Sequence, residues 1–516
     1  MNAVGLVGSG EIPLGSIRID TPKHSRVCFA SDRLMSDTYS NYVDGDWISA
    51  ETGDTFENRN PADPSDMIGS FQQSGTEDAE RAVNAAASAA DEWASTPGPT
   101  RGTILQETAQ LLAARKGELT DTLVREEGKA RPEAAGEVQR AIDIFAYYGA
   151  KASDIGGVVK SSSSRDTTLY TQHEPVGVAG LITPWNYPIA IPAWKIAPAL
   201  AAGTTVVFKP ASLAPNVARK LIECLDEAGL PDGVLNFVTG PGRSVGKTFS
   251  THEAVDAVSF TGSSAVGDTV GSQASETGKR IQLEMGGKNP VVVMPSSDID
   301  EAADIAAAGA FGVTGQACTA TSRAIVHEDV YDEFIEGVVE AAEAINVGPG
   351  LGGGEMGPHV SRSELDGTLE YVDVGINEGA VLETGGNEAD STDSDGFFIE
   401  PTVFSAVEPD MRIAQEEIFG PVLSVISVSS YEEAVSVSNG IPYGLSASIV
   451  TQDLTEAHTF IEDSESGVVK VNEKTTGLEL HVPFGGMKDS SSETYREQGD
   501  AGLDFYTISK TVYLNY

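Results

Sequence analysis

Hydrophobic and polar positions change rhythm along the chain. Through "TEDAERAVNAAASAADEW", "RGTILQETAQLLAARKGELTDTLVREEG" and "AAGEVQRAIDIFAYYGAKAS", apolar and small residues recur at helical spacing, which predicts a layer of helices. Thr76 is the expected N-cap of the first, with Glu77 and Asp78 in the opening turn, where the helix dipole favours carboxylates. The preceding "NYVDGDWISAETGDTFENRNPADP" reads as turn-rich. From about residue 175 the rhythm shortens into strand-like runs, "VGVAGLIT", "TTVVFKP", "VLNFVTG", "AVSFTGS", "RIQLEMGG" and "NPVVVM", separated by helical stretches such as "APNVARKLIECLDEAG". That alternation predicts a mostly parallel sheet of the dinucleotide-binding type. A second alternating stretch, from "DIDEAADIAAAGAF" to "SGVVKVN", predicts another α/β unit, its first helix capped by Asp298 with Glu301 three residues on. "RDTTLYTQHEP" and the terminal "FYTISKTVYLNY" are half-polar and strand-like, the pattern of edges that recruit a partner. "GGNEADSTDSDG" reads as a solvated loop.

Length and composition narrow this picture. At about 150 residues per domain, 516 residues imply two or three units. No uncharged apolar run approaches the ~20 residues that cross a bilayer, so a globular protein without a membrane role is expected. The balance of 77 Asp and Glu against 33 Lys and Arg, net −44, opposes nucleic-acid binding, which relies on cations neutralising phosphates. Acidic residues spread over the whole chain repel one another unless salt screens them, so a salt-rich cytoplasm is the expected setting. Three cysteines, Cys28, Cys224 and Cys318, argue against a disulfide framework. The chain opens without a charged segment followed by an apolar one, so secretion is not expected. Residues 1–34 lack periodicity, and translation is expected to begin at Met35.

The candidate chemistry begins with exclusions. "GPGRSVGKT" carries Pro241 where a phosphate loop needs its first glycine, and "GSSAVGDT" carries Asp268 where that loop needs lysine. The second stretch still follows a strand and opens a helix, so its backbone N–H groups suit a pyrophosphate as well as an ordinary turn. No H-E-x-x-H zinc motif occurs, so no metal is expected. Cys318, in "GVTGQACTATSR", sits on a glycine-bounded loop after the helix that Asp298 caps. Local pattern alone leaves a buried spacer ahead of a reactive thiol, because free cysteine is a favoured core residue.

Six stretches, "LITPWNYPIAIPAWKIAPALAAGTTVVFKP", "FTGSSAVG", "LEMGGKNP", "GQACTA", "EEIFGPV" and "PFGGMKDS", together resemble the signature of the NAD(P)-dependent aldehyde dehydrogenase superfamily, in its order, across residues 40–516. The resemblance implies Cys318 as nucleophile, Asn186 as an oxyanion donor beside the Cys318 N–H, and Glu284 as general base, with Lys195 and Glu497 on a proton path. It also implies cofactor contacts at Ile182, Trp185, Lys209, Gly240, the Gly262–Ser263–Gly267 loop, Glu417 and Phe419. Ser212 stands where many NAD-preferring relatives carry a glutamate that repels a 2′-phosphate, so NADP is expected to be accepted beside NAD and slightly favoured.

The run "PWNYPIAIPAWKIAPALAAGTTVVFKPAS" is more similar to the branch that oxidises α-ketoglutarate semialdehyde in pentose and sugar-acid breakdown than to succinate-semialdehyde or betaine-aldehyde branches. Succinate semialdehyde, a broad range of aliphatic aldehydes, and a cofactor-free thiol hydrolase are the competing readings. By resemblance the fold is α/β in three parts. A Rossmann-type cofactor domain takes 35–160 and 178–285, an α/β catalytic domain takes 286–485, and a small β oligomerisation element takes 161–177 and 486–516. A homodimer or homotetramer acting on a small aldehyde is implied.

Overall fold

Val178–Ile182, Thr205–Lys209 and Ala257–Thr261 are buried along their whole length, which is why they read as near-continuous apolar runs. In the computed structural model, which describes residues 37–389 and 395–516, they form the centre of a seven-stranded sheet. Its order is Arg280–Glu284, Ala257–Thr261, Val178–Ile182, Thr205–Lys209, Leu235–Phe237, Asn41–Val43 and Asp46–Ile48. The first five are parallel, and the last two form an antiparallel hairpin on the edge. That hairpin lies in the segment read as turn-rich. Strands of three residues with Asp44 and Gly45 at positive φ between them are too short to show alternation in sequence.

Helices cover both faces. Trp93, Leu105, Phe145, Leu181, Leu200 and Phe208 share one core, and Ala79, Val83, Ile182, Val207, Val258 and Phe260 share the other. Each fully buried Val, Leu or Phe among them contributes about 1.5–3 kcal/mol. The first helix, Thr76–Ser95, is capped by Gly75 and not by Thr76. The Asp78 carboxylate accepts from the Gly75 N–H at 3.0 Å and from the Glu51 N–H at 2.9 Å, so a tertiary contact sets the start one residue early.

A second seven-stranded sheet runs Val381–Thr384, Thr402–Ser405, Val422–Val428, Thr321–His327, Asn289–Val293, Ser446–Val450 and Val468–Val471. All neighbours are parallel except the first pair. The helix Ile299–Phe311 packs on it, capped as expected: Asp298 accepts from the Glu301 N–H at 3.2 Å. The terminal strand Thr507–Asn515 pairs antiparallel with Thr167–Pro175 along its full length. Only this part of 486–516 joins that small sheet. Residues 484–492 instead bridge the large ones: Met487–Lys488 pairs with Tyr443–Gly444, while Ser490 and Ser492 bond the backbone at Leu283–Met285. This segment has no period of its own, because its partners are remote.

Among the described residues no helix is long and apolar enough to cross a membrane. The expectations for residues 1–34, a start at Met35, Cys28 and the centre of "GGNEADSTDSDG" fall outside the described residues. Replacing the cap by Asp298→Ala is expected to cost about 1 kcal/mol. The check is a lower urea midpoint at unchanged slope against the unaltered protein.

Candidate active site

The helix Ile299–Phe311 delivers the chain to a tight turn in which Val313, Thr314 and Gly315 all have left-handed backbone, φ 53°, 56° and 66°. β-branched residues avoid this region, so two in succession mark stored strain. Gly315 is required, since a Cβ there would stand 2.2 Å from the Gly420 carbonyl oxygen. Two side-chain amides fix the chain beyond the turn. Asn186 Nδ2 donates to the Gln316 carbonyl at 3.0 Å. Asn289 Nδ2 donates to the carbonyls of Cys318 and Ala320 at 2.8 and 2.9 Å. Gln316 is gripped in turn by the Val360 N–H at 3.0 Å and by His359, whose ring burial holds neutral by lowering its pKa to about 3.

Cys318 itself is partly exposed as a residue and lines the main cavity, while its sulfur lies deep. Burial, then the carboxylates of Glu417, Glu284 and Glu497, pushes the thiol up to about 12, and the Thr319 N–H opposes them. The free site therefore stores the nucleophile as a thiol.

Behind the sulfur lies a carboxylate cluster. Glu284 ends the strand Arg280–Glu284, fully buried, and accepts from the Gly486 N–H at 3.2 Å and the Ser491 hydroxyl at 3.3 Å. Burial and then the neighbouring Glu497 raise its pKa well above the usual carboxylate range. Glu497 pairs with Lys195, both buried, and Lys195 Nζ also donates to Ser259 Oγ at 2.7 Å. Glu284, Glu497 and Lys195 are absent from the cavity's wall.

The cavity, about 830 Å³, opens at the C-terminal ends of the first sheet's strands, where ligands of parallel sheets bind. Ile182, Trp185, Asn186, Lys209, Gly262, Ser263, Glu417 and Phe419 line it with Cys318, as the sequence implied. Its volume suits a dinucleotide. Two wall hydroxyls, Thr183 Oγ1 and Thr261 Oγ1, are buried without a hydrogen-bond partner, which fits a polar ligand arriving there. The helix Ser264–Glu276 presents its N-terminus beside them. Burial lowers the Lys209 pKa to about 8, its Nζ donating to the Pro210 carbonyl at 2.8 Å. Burial raises the Glu417 pKa to about 7 against the Gly287 N–H, which donates to it at 3.0 Å. Gly286 leaves room for the Glu417 carboxylate, since a Cβ would lie 2.2 Å from it and displace it. Phe419, at φ 59°, meets Trp185 edge to face with centroids 5.5 Å apart.

Three expected cofactor residues are off the wall. Gly240 is buried under Ser74, its φ of 146° and the 2.9 Å approach to the Ser74 carbonyl explaining the glycine. Gly267 lets its helix approach Met285, whose Sδ would be 2.4 Å from a Cβ. Ser212 is exposed just beyond Ala211, which does line the cavity. Sequence reading missed Asn289, Gln316 and His359, which hold the loop, and Lys129. Lys129 Nζ bonds the Asn186 carbonyl at 2.7 Å and Glu137 at 2.6 Å, and lies 4.3 Å from the Tyr187 ring centroid. Asn289 was within a quoted motif, whereas His359 and Lys129 had no local signal.

Comparison with known proteins agrees with this geometry. The aldehyde dehydrogenase family profile matches residues 47–512. The α-ketoglutarate semialdehyde dehydrogenase of Haloferax volcanii is 63% identical over 484 residues, covering 93% of this chain and 100% of that protein. The 2,5-dioxopentanoate dehydrogenase of Saccharolobus solfataricus is 43% identical, covering 90% and 97%. The crystal structure of betaine aldehyde dehydrogenase from Staphylococcus aureus in complex with NAD+ superposes with a TM-score of 0.90 at 34% identity, covering 92% and 94%. With a buried thiol on the wall of a dinucleotide-sized cavity, and a fold and sequence matched over more than nine-tenths of the chain, the chain belongs to the aldehyde dehydrogenase family.

Proposed function

We propose that this enzyme oxidises α-ketoglutarate semialdehyde to 2-oxoglutarate with NAD or NADP, as a cytoplasmic homodimer or homotetramer joined through the sheet containing Thr507–Asn515. The observation that carries the reaction is the Cys318 thiol on the cavity wall beside the Asn186 amide. The substrate reading rests on full-length similarity to relatives of that activity, at 63%, 45% and 43% identity.

Cys318, once deprotonated, adds its sulfur to the aldehyde carbon, and the carbonyl oxygen becomes an alkoxide. The Cys318 N–H and the second N–H of the Asn186 amide are the donors for that charge, preorganised because the first Asn186 N–H is committed to Gln316. A nicotinamide dinucleotide, when bound, would supply the two-electron acceptor for oxidation of that carbon. Lys209, Ser263 and Glu417 are the residues that would hold the dinucleotide. The remaining thioester needs water, and Glu284, with its raised proton affinity, takes a proton from it. The C–S bond breaks, the carboxylate departs and the thiolate returns. Lys195 and Glu497 relay the proton outward.

A panel of aldehydes assayed at high salt with both cofactors tests this reading. α-Ketoglutarate semialdehyde should give the highest kcat/KM, and Cys318→Ala should abolish aldehyde-dependent NAD(P)H formation; surviving turnover would remove the thiol from the mechanism. Alkylation of Cys318 in the cofactor-free enzyme, followed by mass of the labelled peptide, should accelerate about tenfold per pH unit from neutrality to pH 10, since the thiolate fraction rises below a pKa of about 12. A plateau below pH 9 would contradict the buried thiol. Ser212→Glu should lower kcat/KM with NADP by about tenfold or more and leave NAD nearly unaffected, because the added carboxylate repels only the 2′-phosphate.

A further inference from the structure

A second cavity, about 720 Å³, shares no lining residue with the first. Lys470, Glu473, Lys474, Leu478, Glu479 and Phe484 are on its wall. Its inner side is tied to the nucleophile's loop: Thr475 Oγ1 donates to the Thr319 carbonyl at 2.7 Å and lies 2.7 Å from Thr321 Oγ1. Phe484 packs at 6.3 Å between ring centroids against Trp194, on the helix Ala190–Ala202 that follows Asn186. This cavity therefore borders the loop that carries Cys318, whose side chain lines the first cavity.

The charges on this wall are not equivalent. Lys470 is spent on structure, its Nζ donating to the Thr476 carbonyl at 2.6 Å and standing 3.7 Å from Glu473. Glu479 stands 3.8 Å from His481. Lys474, among the described residues, makes neither a hydrogen bond nor an ion pair, although acidic side chains outnumber basic ones more than twofold in the chain. It is felt by Glu133, whose carboxylate accepts the Val313 N–H at 2.7 Å at the start of the strained turn. A Cβ on Gly309, near the end of the preceding helix, would lie 3.4 Å from the Lys474 Cβ. Lys474 is thus an exposed cation without a protein partner among the described residues, one residue from the Thr475 that bonds the nucleophile's loop and on the wall of a cavity with an apolar side at Leu478 and Phe484.

We propose that Lys474 binds the distal carboxylate of the semialdehyde and is the residue that makes the site prefer an anionic aldehyde. This rests on the substrate reading above. The flanking Glu473 and Glu479 repel a second negative charge, so the site suits a monocarboxylate with a short apolar chain. The arrangement gives uniform binding: the carboxylate is held equally before and after addition at the aldehyde, so its loss should appear in KM and not in kcat.

The test compares unaltered enzyme, Lys474→Met and Lys474→Arg on α-ketoglutarate semialdehyde and on pentanal, at one fixed high salt concentration. Lys474→Met should raise KM for the acidic aldehyde by about tenfold or more with kcat nearly unchanged, and leave pentanal kinetics alone. Lys474→Arg should retain most of the preference. Equal losses on both aldehydes would mean a structural role, and no change on the acidic aldehyde would mean another residue holds the carboxylate; either overturns the proposal while the substrate reading stands. Unaltered enzyme that used both aldehydes equally well would instead overturn the substrate reading, and this proposal with it.

Discussion

The Asn186 amide and the Asn289 amide hold one short peptide, Gln316–Ala320, from opposite sides, and the active site is organised around that restraint. Asn186 lies on the loop that follows the strand Val178–Ile182 of the first sheet, and Asn289 opens the strand Asn289–Val293 of the other large sheet. Closing both contacts at once forces the chain through Val313 and Thr314 in a backbone region their side chains disfavour. Strain of about 1–3 kcal/mol per residue persists only where the surroundings over-determine it, and here they do. The gain is a Cys318 loop held in one conformation.

Burial makes the second constraint. The chain carries a formal net charge of −44, and near the thiol a few of its carboxylates are buried away from water. Glu284, Glu417 and Glu497 surround the thiol electrostatically, and together with desolvation they keep its proton on. Desolvation likewise raises the proton affinity of Glu284, so one physical cause acts on both the thiol and this carboxylate. A surface ion pair such as Arg362 with Glu388 contributes little to such an effect, because both side chains are about half exposed.

Much of this was legible beforehand. Strands buried on both faces advertise themselves as apolar runs, and the Asp298 cap follows from local hydrogen-bonding geometry. Six ordered motifs identified the family and brought Cys318, Asn186 and Glu284 into one group, reversing the local preference for a buried spacer. Short or partner-defined elements were not legible: the hairpin Asn41–Ile48, the Gly75 cap and the bridging segment 484–492 each depend on contacts with distant chain.

The sequence by itself determined the layer architecture, the family and the candidate reactive groups, because periodicity and motif spacing are local properties. Tertiary structure alone decided which of those groups face the cavity. Gly240 and Gly267 proved to be close-packing positions, Glu284 turned toward Gly486 and Ser491, and His359 and Lys129 became supports for residues far away in sequence. Hydrogen bonds between strangers along the chain, and the proton affinities that burial creates, exist only once two sheets have closed on one loop.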